Sequence, residues 1–290
     1  MFKGSYTAII TPFIDRRFDE ESFKRFIDWQ IDSGTEGLIV CGTTGESATL
    51  SIEEQMHVAD VCIKTVNKRV PVIAGAGGND TAKTVYTAQA MQNLGADALL
   101  VVTPYYNKPS QKGLFEHYKA VHDATALPIL LYNVPGRTGV DLAVDTVATL
   151  AKLPRIAGIK EASSDLSKVL KIRLKVPESF ALLSGDDATA AAFLAQGGHG
   201  CISVTANVAP AQCAALHAAW QNQNRAKFNA VRDTLLPLHE AMFIESNPGP
   251  VKYAASLLGY GDGSLRQPLW EISESSKEIV RNAMKSAGVL

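Results

Sequence analysis

Residues 128–160 read PILLYNVPGRTGVDLAVDTVATLAKLPRIAGIK. Pro128–Tyr132 is an apolar run of strand length. A loop rich in proline and glycine follows, then a stretch of helix length, and then a second apolar run that stops at Lys160. That succession is one strand–helix unit leading into the next strand. The same reading extends in both directions from this segment. With Pro128–Tyr132 and Ile156–Lys160, the runs Tyr6–Ile10, Gly37–Val40, Val70–Ala74, Ala98–Val102, Ala181–Ser184 and Gly200–Val204 make eight, spaced by roughly 20 to 33 residues. Their apolar residues are consecutive rather than alternating, which suits parallel strands covered on both faces. Eight such units predict an α/β fold of the (β/α)8 TIM barrel type over residues 1–222. An open doubly wound sheet competes, but the first strand–helix turn lacks G-x-G-x-x-G.

The segments between the runs carry helix punctuation. Asp19 opens one helix whose Phe23, Phe26, Ile27 and Ile31 share a face, with Gly34 past its end. Ser51 with Glu54 forms a capping box. Ser110, Asp141 and Ser163 are further N-cap candidates, and Pro210 suits a first helical turn. From residue 223 strand signals stop. Arg225–Ile244, Val251–Leu258 and Ser275–Lys285 read as helices, so residues 223–290 are expected to form a helical extension packed on the barrel.

Composition narrows the function. The 290 residues are 46% hydrophobic and 20% charged, with 28 Lys and Arg against 29 Asp and Glu, a net charge of −1. That supports a packed core and disfavours a nucleic-acid or anionic-membrane binder. No apolar run has the length of a membrane span, and the N-terminus lacks the pattern of a signal peptide. The four cysteines are scattered, and Cys41 and Cys201 lie in apolar runs as small hydrophobes. A cytoplasmic protein is expected. The six histidines show no H-x-H or H-E-x-x-H spacing, so no metal is expected.

In a barrel, functional groups sit at the C-terminal strand ends and in the loops beyond them. Lys160 is the sharpest candidate there. An unprotonated lysine amine attacks a carbonyl to give an imine, and burial beside apolar side chains favours the unprotonated form. The bland alternative is an ion pair with Glu161. Tyr132 ends the preceding strand, and its phenol can both give and take a proton; otherwise it is an aromatic at the core edge. Gly42-Thr43-Thr44-Gly45 offers backbone N–H groups and two hydroxyls to a carboxylate, or is a plain turn. Gly75–Asn79 can cradle a phosphate, but without Lys or Arg in it an ordinary glycine turn is the plainer reading. Arg137 stands in a mouth loop, to grip a carboxylate bidentately or to pair with a surface acid.

Several long motifs occur in one order: Gly4–Phe13 (GSYTAIITPF), Gly42–Leu50 (GTTGESATL), Thr103–Gln111 (TPYYNKPSQ), Tyr132–Gly139 (YNVPGRTG), Gly158–Ala162 (GIKEA), Ser184–Asp187 (SGDD) and Asn247–Ala254 (NPGPVKYA). Through them the chain resembles, over nearly its whole length, the dihydrodipicolinate synthase family of class I pyruvate-dependent aldolases. The resemblance implies a lyase in which Lys160 forms a Schiff base with pyruvate. It implies that Tyr132, Thr43 and Tyr106 relay protons, and that Tyr106 reaches into the partner subunit of a tight dimer. Thr44 with Thr43 would bind the pyruvate carboxylate, and backbone at Gly185 and Ile202 would line the site. Arg137 would hold the carboxylate of aspartate 4-semialdehyde, and the product would enter diaminopimelate and lysine biosynthesis. A homotetramer built as a dimer of dimers is implied, with no cofactor.

Sibling sugar-acid and sialic-acid lyases share the lysine and the tyrosine. Arg137 and Thr43 favour the dipicolinate reaction over theirs. A phosphate-binding isomerase built on Gly75–Asn79 and a catalytically silent barrel are the rivals from other classes. Many relatives are inhibited by L-lysine at a site matched here by Ser47, Ala48, Asn79 and Tyr105. In this chain Ile52, Gln55 and Lys83 replace the His, His and Glu of a sensitive type. Lys83 repels a cationic ligand, so feedback is expected to be weak or absent.

Overall fold

The structure, a computed structural model, describes residues 2–290. In chain order its strands are β1 (Gly4–Ala8), β2 (Phe13–Ile14), β3 (Arg17–Phe18), β4 (Gly37–Val40), β5 (Val72–Gly75), β6 (Ala98–Val102), β7 (Ile129–Asn133), β8 (Ile156–Glu161), β9 (Ala181–Ser184) and β10 (Gly200–Ser203). The helices are α1 (Glu20–Asp32), α2 (Ile52–Val66), α3 (Thr81–Leu94), α4 (Gln111–Ala124), α5 (Pro135–Thr138), α6 (Val144–Leu150), α7 (Leu166–Arg173), α8 (Ala190–Ala195), α9 (Pro210–Gln221), α10 (Arg225–Ala241), α11 (Gly249–Leu257) and α12 (Glu274–Ser286). Eight parallel strands close a barrel in the order β1-β10-β9-β8-β7-β6-β5-β4, and β2 with β3 makes a separate antiparallel hairpin. Each expected run became a barrel strand, shifted by at most two residues at either end. At the first run Ile9 and Ile10 stay buried but leave the strand, because the Ile10 N–H donates to the Asn207 side chain at 2.9 Å.

Contacts divide the described residues into two compact units, one of Pro71–Ile202 with Phe2 and Lys3, the other of Gly4–Val70 with Ser203–Leu290. In the first, Ile73, Leu99, Leu130, Leu131, Ile159 and Leu183 are fully enclosed, as the consecutive apolar pattern requires. In the second, α10 packs on α9 and α12, α11 packs on α12, and α9 packs on β1.

Local chemistry explains most helix starts. Asp19 accepts from Ser22 N, Ser51 and Glu54 complete the capping box, Ser110 accepts from Gly113 N, and Pro210 takes the first turn of α9. Two cap expectations are corrected. Asp141 does not cap α6, because the Ala143 N–H is taken by the Gln111 side chain from α4 at 3.0 Å and Asp141 turns to Lys168 and Asn133. Ser163 does not cap α7 either. Asp165, two residues on, accepts from Ser167 N at 2.9 Å.

Candidate active site

Lys160 and Tyr132 are register partners on neighbouring strands β8 and β7. Alternation along a strand therefore sends both side chains to the same face, and each is only 6% exposed. The Lys160 amine lies over the Tyr132 ring, 4.4 Å from its centre. The ring thus shields the amine and can hold it when cationic, through its electron-rich face. Gly185, just past β9, walls the other side. A Cβ there would stand 2.9 Å from Lys160 Cε and 2.7 Å from Ala162 Cβ, so only glycine leaves the lysine arm its place. Ile202 is buried in β10.

The next residue on each strand, Asn133 and Glu161, faces the opposite way. Glu161 is buried, but its partners are the Asn133 amide, at 3.0 Å from both oxygens, and the Ser163 N–H at 2.8 Å, with Lys168 at 3.4 Å. The ammonium in that group belongs to Lys168. Sequence reading names Glu161 only as a possible partner of Lys160 and does not name Lys168.

Arg137 lies in α5, one short turn that Pro135 opens and Gly139 closes in the left-handed region, at φ 71°. Tyr105 and Tyr106 follow β6 in the same unit. Tyr106 is 88% exposed and sits at φ 74°, where non-glycine residues are uncommon; its N–H donates to Thr138 O at 3.3 Å. Asn79 is tied to this loop through the Asn107 amide, which donates to Asn79 O at 2.8 Å. The glycine-rich turn 75–79 has a packing cause. A Cβ on Gly77 would overlap the Val102 backbone nitrogen, so glycine is needed for close approach to β6.

In the second unit, Thr43 and Thr44 lie beyond the end of β4, and Thr44 is buried. The Asn247 amide donates to the Thr44 hydroxyl at 3.0 Å. Glu46, left-handed at φ 57°, is pinned by Lys252 of α11 at 2.5 Å and by the Arg266 N–H at 2.9 Å. Such a conformation persists where the surroundings over-determine it. Burial pushes the Lys252 ammonium down to about 8 although Glu46 pulls it the other way. Sequence reading missed this pair. A lysine inside the apolar stretch GPVKYAASL was the available signal, since such a residue needs a buried partner. The Gln55 amide, beside Ser47 and Ala48 in the chain fold, donates to Ser47 O at 2.9 Å and Leu50 O at 3.2 Å. Cys41, Cys62, Cys201 and Cys213 are all buried free thiols, and burial pushes Cys41 up to about 12.

No helix among the described residues is long and apolar enough to cross a membrane. A family model described as the dihydrodipicolinate synthetase family matches residues 1–287. Over 290 residues, all of both chains, the sequence is 52% identical to the 4-hydroxy-tetrahydrodipicolinate synthase of Rhodospirillum centenum. Two solved structures are also similar over all of both chains. One is the chloride-inhibited dihydrodipicolinate synthase of Acinetobacter baumannii complexed with pyruvate, with TM-score 0.97 and 43% identity. The other is the dihydrodipicolinate synthase of Thermotoga maritima, with TM-score 0.98 and 42% identity.

Proposed function

Because this chain belongs to the dihydrodipicolinate synthetase family, we propose that it is a lyase condensing pyruvate with L-aspartate 4-semialdehyde through a Schiff base on Lys160. The product is 4-hydroxy-tetrahydrodipicolinate, on the way to diaminopimelate and lysine. The observation that carries the reading is the buried Lys160 amine lying against the Tyr132 ring.

The amine attacks the pyruvate carbonyl carbon and water leaves, giving a protonated imine. That cation draws electrons from the adjacent methyl group, a proton departs, and an enamine forms. The enamine carbon bonds to the aldehyde carbon of the semialdehyde, whose oxygen takes up a proton to become a hydroxyl. The amino group of the second substrate then attacks the imine carbon, closes the ring and releases the Lys160 amine. Tyr132 is the nearest proton carrier, since its phenol can donate and accept in turn. Thr43 and Tyr106 extend the relay, and Thr44 with Thr43 holds the pyruvate carboxylate. Backbone at Gly185 and Ile202 lines the site, and Arg137 grips the carboxylate of the semialdehyde. Apart from the carbon–carbon bond made by the enamine, each step moves a proton or forms or exchanges an imine, which is the chemistry the residues named can supply.

A tight dimer, paired into a homotetramer, fits the outward display of Tyr106, a large aromatic held in a strained backbone conformation. A cytoplasmic setting fits four reduced, buried thiols. The test is borohydride reduction in the presence of pyruvate, followed by mass mapping. A single reduced three-carbon adduct on the peptide holding Lys160 is expected. No adduct, or an adduct on another lysine, would overturn the mechanism; turnover of 2-keto-3-deoxy sugar acids in preference to the semialdehyde would overturn the substrate.

A further inference from the structure

A polar cluster, buried except for the half-exposed Asp141, lies immediately behind the Lys160–Tyr132 pair, and the reaction as written does not use it. Asn133, Glu161, Lys168 and Asp141 form it, all within the unit that carries β7 and β8. The Asn133 amide donates to both Glu161 oxygens at 3.0 Å and to Asp141 Oδ1 at 2.8 Å. Its carbonyl accepts from Leu142 N at 3.0 Å. The Lys168 ammonium, on a side chain 6% exposed, reaches Asp141 at 2.5 Å and Glu161 at 3.4 Å.

Two consequences follow from where these atoms sit in the chain. Asn133 begins the segment that carries Arg137, and Leu142 ends it. Their hydrogen bond therefore clasps that segment into a closed loop at its base. Glu161 directly follows Lys160, and the Gly185 N–H donates to the Glu161 carbonyl at 2.8 Å, so the strand end and the wall beside the lysine arm are fixed together. One ammonium thus bridges a carboxylate on the loop of Arg137 to a carboxylate on the strand of Lys160.

We propose that Lys168, acting through Glu161, Asp141 and Asn133, is a positioning residue that sets the Lys160 arm and the Arg137 loop relative to each other; this rests on the roles given to Lys160 and Arg137 above. The physical ground is the cost of the cluster. Buried charges lose hydration that their pairing repays poorly, and apolar side chains of similar volume generally stabilise such a place as well or better. Stability alone therefore does not call for three buried polar groups, Asn133, Glu161 and Lys168, at this place. A fixed geometry does, because an ammonium between two carboxylates and a two-sided amide accept few arrangements.

The test is the double variant E161M/K168M in the full chain, which leaves no buried charge unpaired, beside the single variant K168R. Three quantities are read: the melting temperature, the rate at which hydride-trapped pyruvate accumulates on Lys160, and the KM for the semialdehyde. For the double variant we expect an unchanged or higher melting temperature, about tenfold or more slower trapping, and a KM raised about tenfold or more. K168R, which keeps the bridging charge, restores both catalytic quantities. A folded double variant with wild-type trapping and KM overturns the proposal, as does K168R failing as badly as the double variant. If the double variant does not fold, D141N decides. Asp141 is half exposed and anchors only the loop side, so its KM rises while trapping stays as in the wild type; an unchanged KM overturns the proposal. Wild-type protein that takes up no pyruvate would instead refute the catalytic reading itself, a result distinct from silent variants in a trapping enzyme.

Discussion

Replacing Gly185 by alanine adds one methyl group, and the structure says where that group must go. The new carbon would lie 2.7 Å from Ala162 Cβ, 2.9 Å from Lys160 Cε and 3.2 Å from Lys160 Cγ. Non-bonded carbons rest at about 3.5–4.0 Å, so roughly 0.6 Å or more of displacement has to be found. Ala162 is not free to supply it, because its N–H donates to Asn133 O at 2.9 Å and its side chain has no rotamer to change. Gly185 is held in the same way through its N–H to Glu161 O at 2.8 Å. The contact with Ala162 can therefore be relieved only by a shift of the strand-end backbone, while toward Lys160 the flexible arm yields. Overpacking of this kind costs about 1–3 kcal/mol of stability, a fall of a few degrees in melting temperature. Misplacing a reacting group by about 1 Å costs on the order of 100-fold in rate. Gly185→Ala is therefore expected to remain folded while trapping pyruvate about 100-fold more slowly. The assay is intact-protein mass spectrometry at timed intervals after borohydride, with a thermal melt in parallel. Trapping at the wild-type rate would show that the methyl group is absorbed elsewhere and that Gly185 does not set the lysine arm.

Three further outcomes are expected. Arg137→Ala should raise the KM for the semialdehyde by about 10- to 100-fold, the worth of a charged hydrogen-bonded grip, while pyruvate trapping on Lys160 is unchanged; steady-state kinetics with each substrate varied separates the two. Burial lowers the pKa of His117 from 6.5 to about 4, against a weaker pull from Asp80. Between those values the unfolded chain binds the proton that the folded chain refuses, so stability is lost as pH falls through that window, by up to about 3 kcal/mol. Urea melts of wild type and His117→Asn from pH 4 to 7 should show the shallower slope in the variant, and equal slopes would contradict the assignment. L-Lysine at sub-millimolar concentration should leave activity intact. By the resemblance, Lys83 stands where a lysine-sensitive type has an acid and would repel a cationic ligand, and the Gln55 amide is committed to the Ser47 and Leu50 carbonyls. Strong inhibition in that range would refute this.

Much of the molecule follows from features that act over short stretches of chain. Eight runs of consecutive apolar residues can be satisfied only by strands covered on both faces, and Asp19, Ser51, Ser110 and Pro210 mark helix starts because a cap acts within one turn. A lysine ending one apolar run and a tyrosine ending the one before it become register partners in a parallel barrel, so the Lys160–Tyr132 pair was legible without coordinates. Three things were not legible, for a common reason. Asp141 has the spacing of a cap, yet Gln111 from α4 reaches Ala143 first and leaves Asp141 to Lys168. Glu46 and Lys252 form a buried ion pair across 206 residues of chain. The ordinary glycine turn expected at 75–79 gave no sign of why Gly77 has to be glycine, and the Val102 backbone brought against it supplies the reason. A local pattern states what a residue is able to do. Which competing partner it takes depends on distances that exist only once the elements have packed, and burial then raises the cost of leaving any of those groups unpaired.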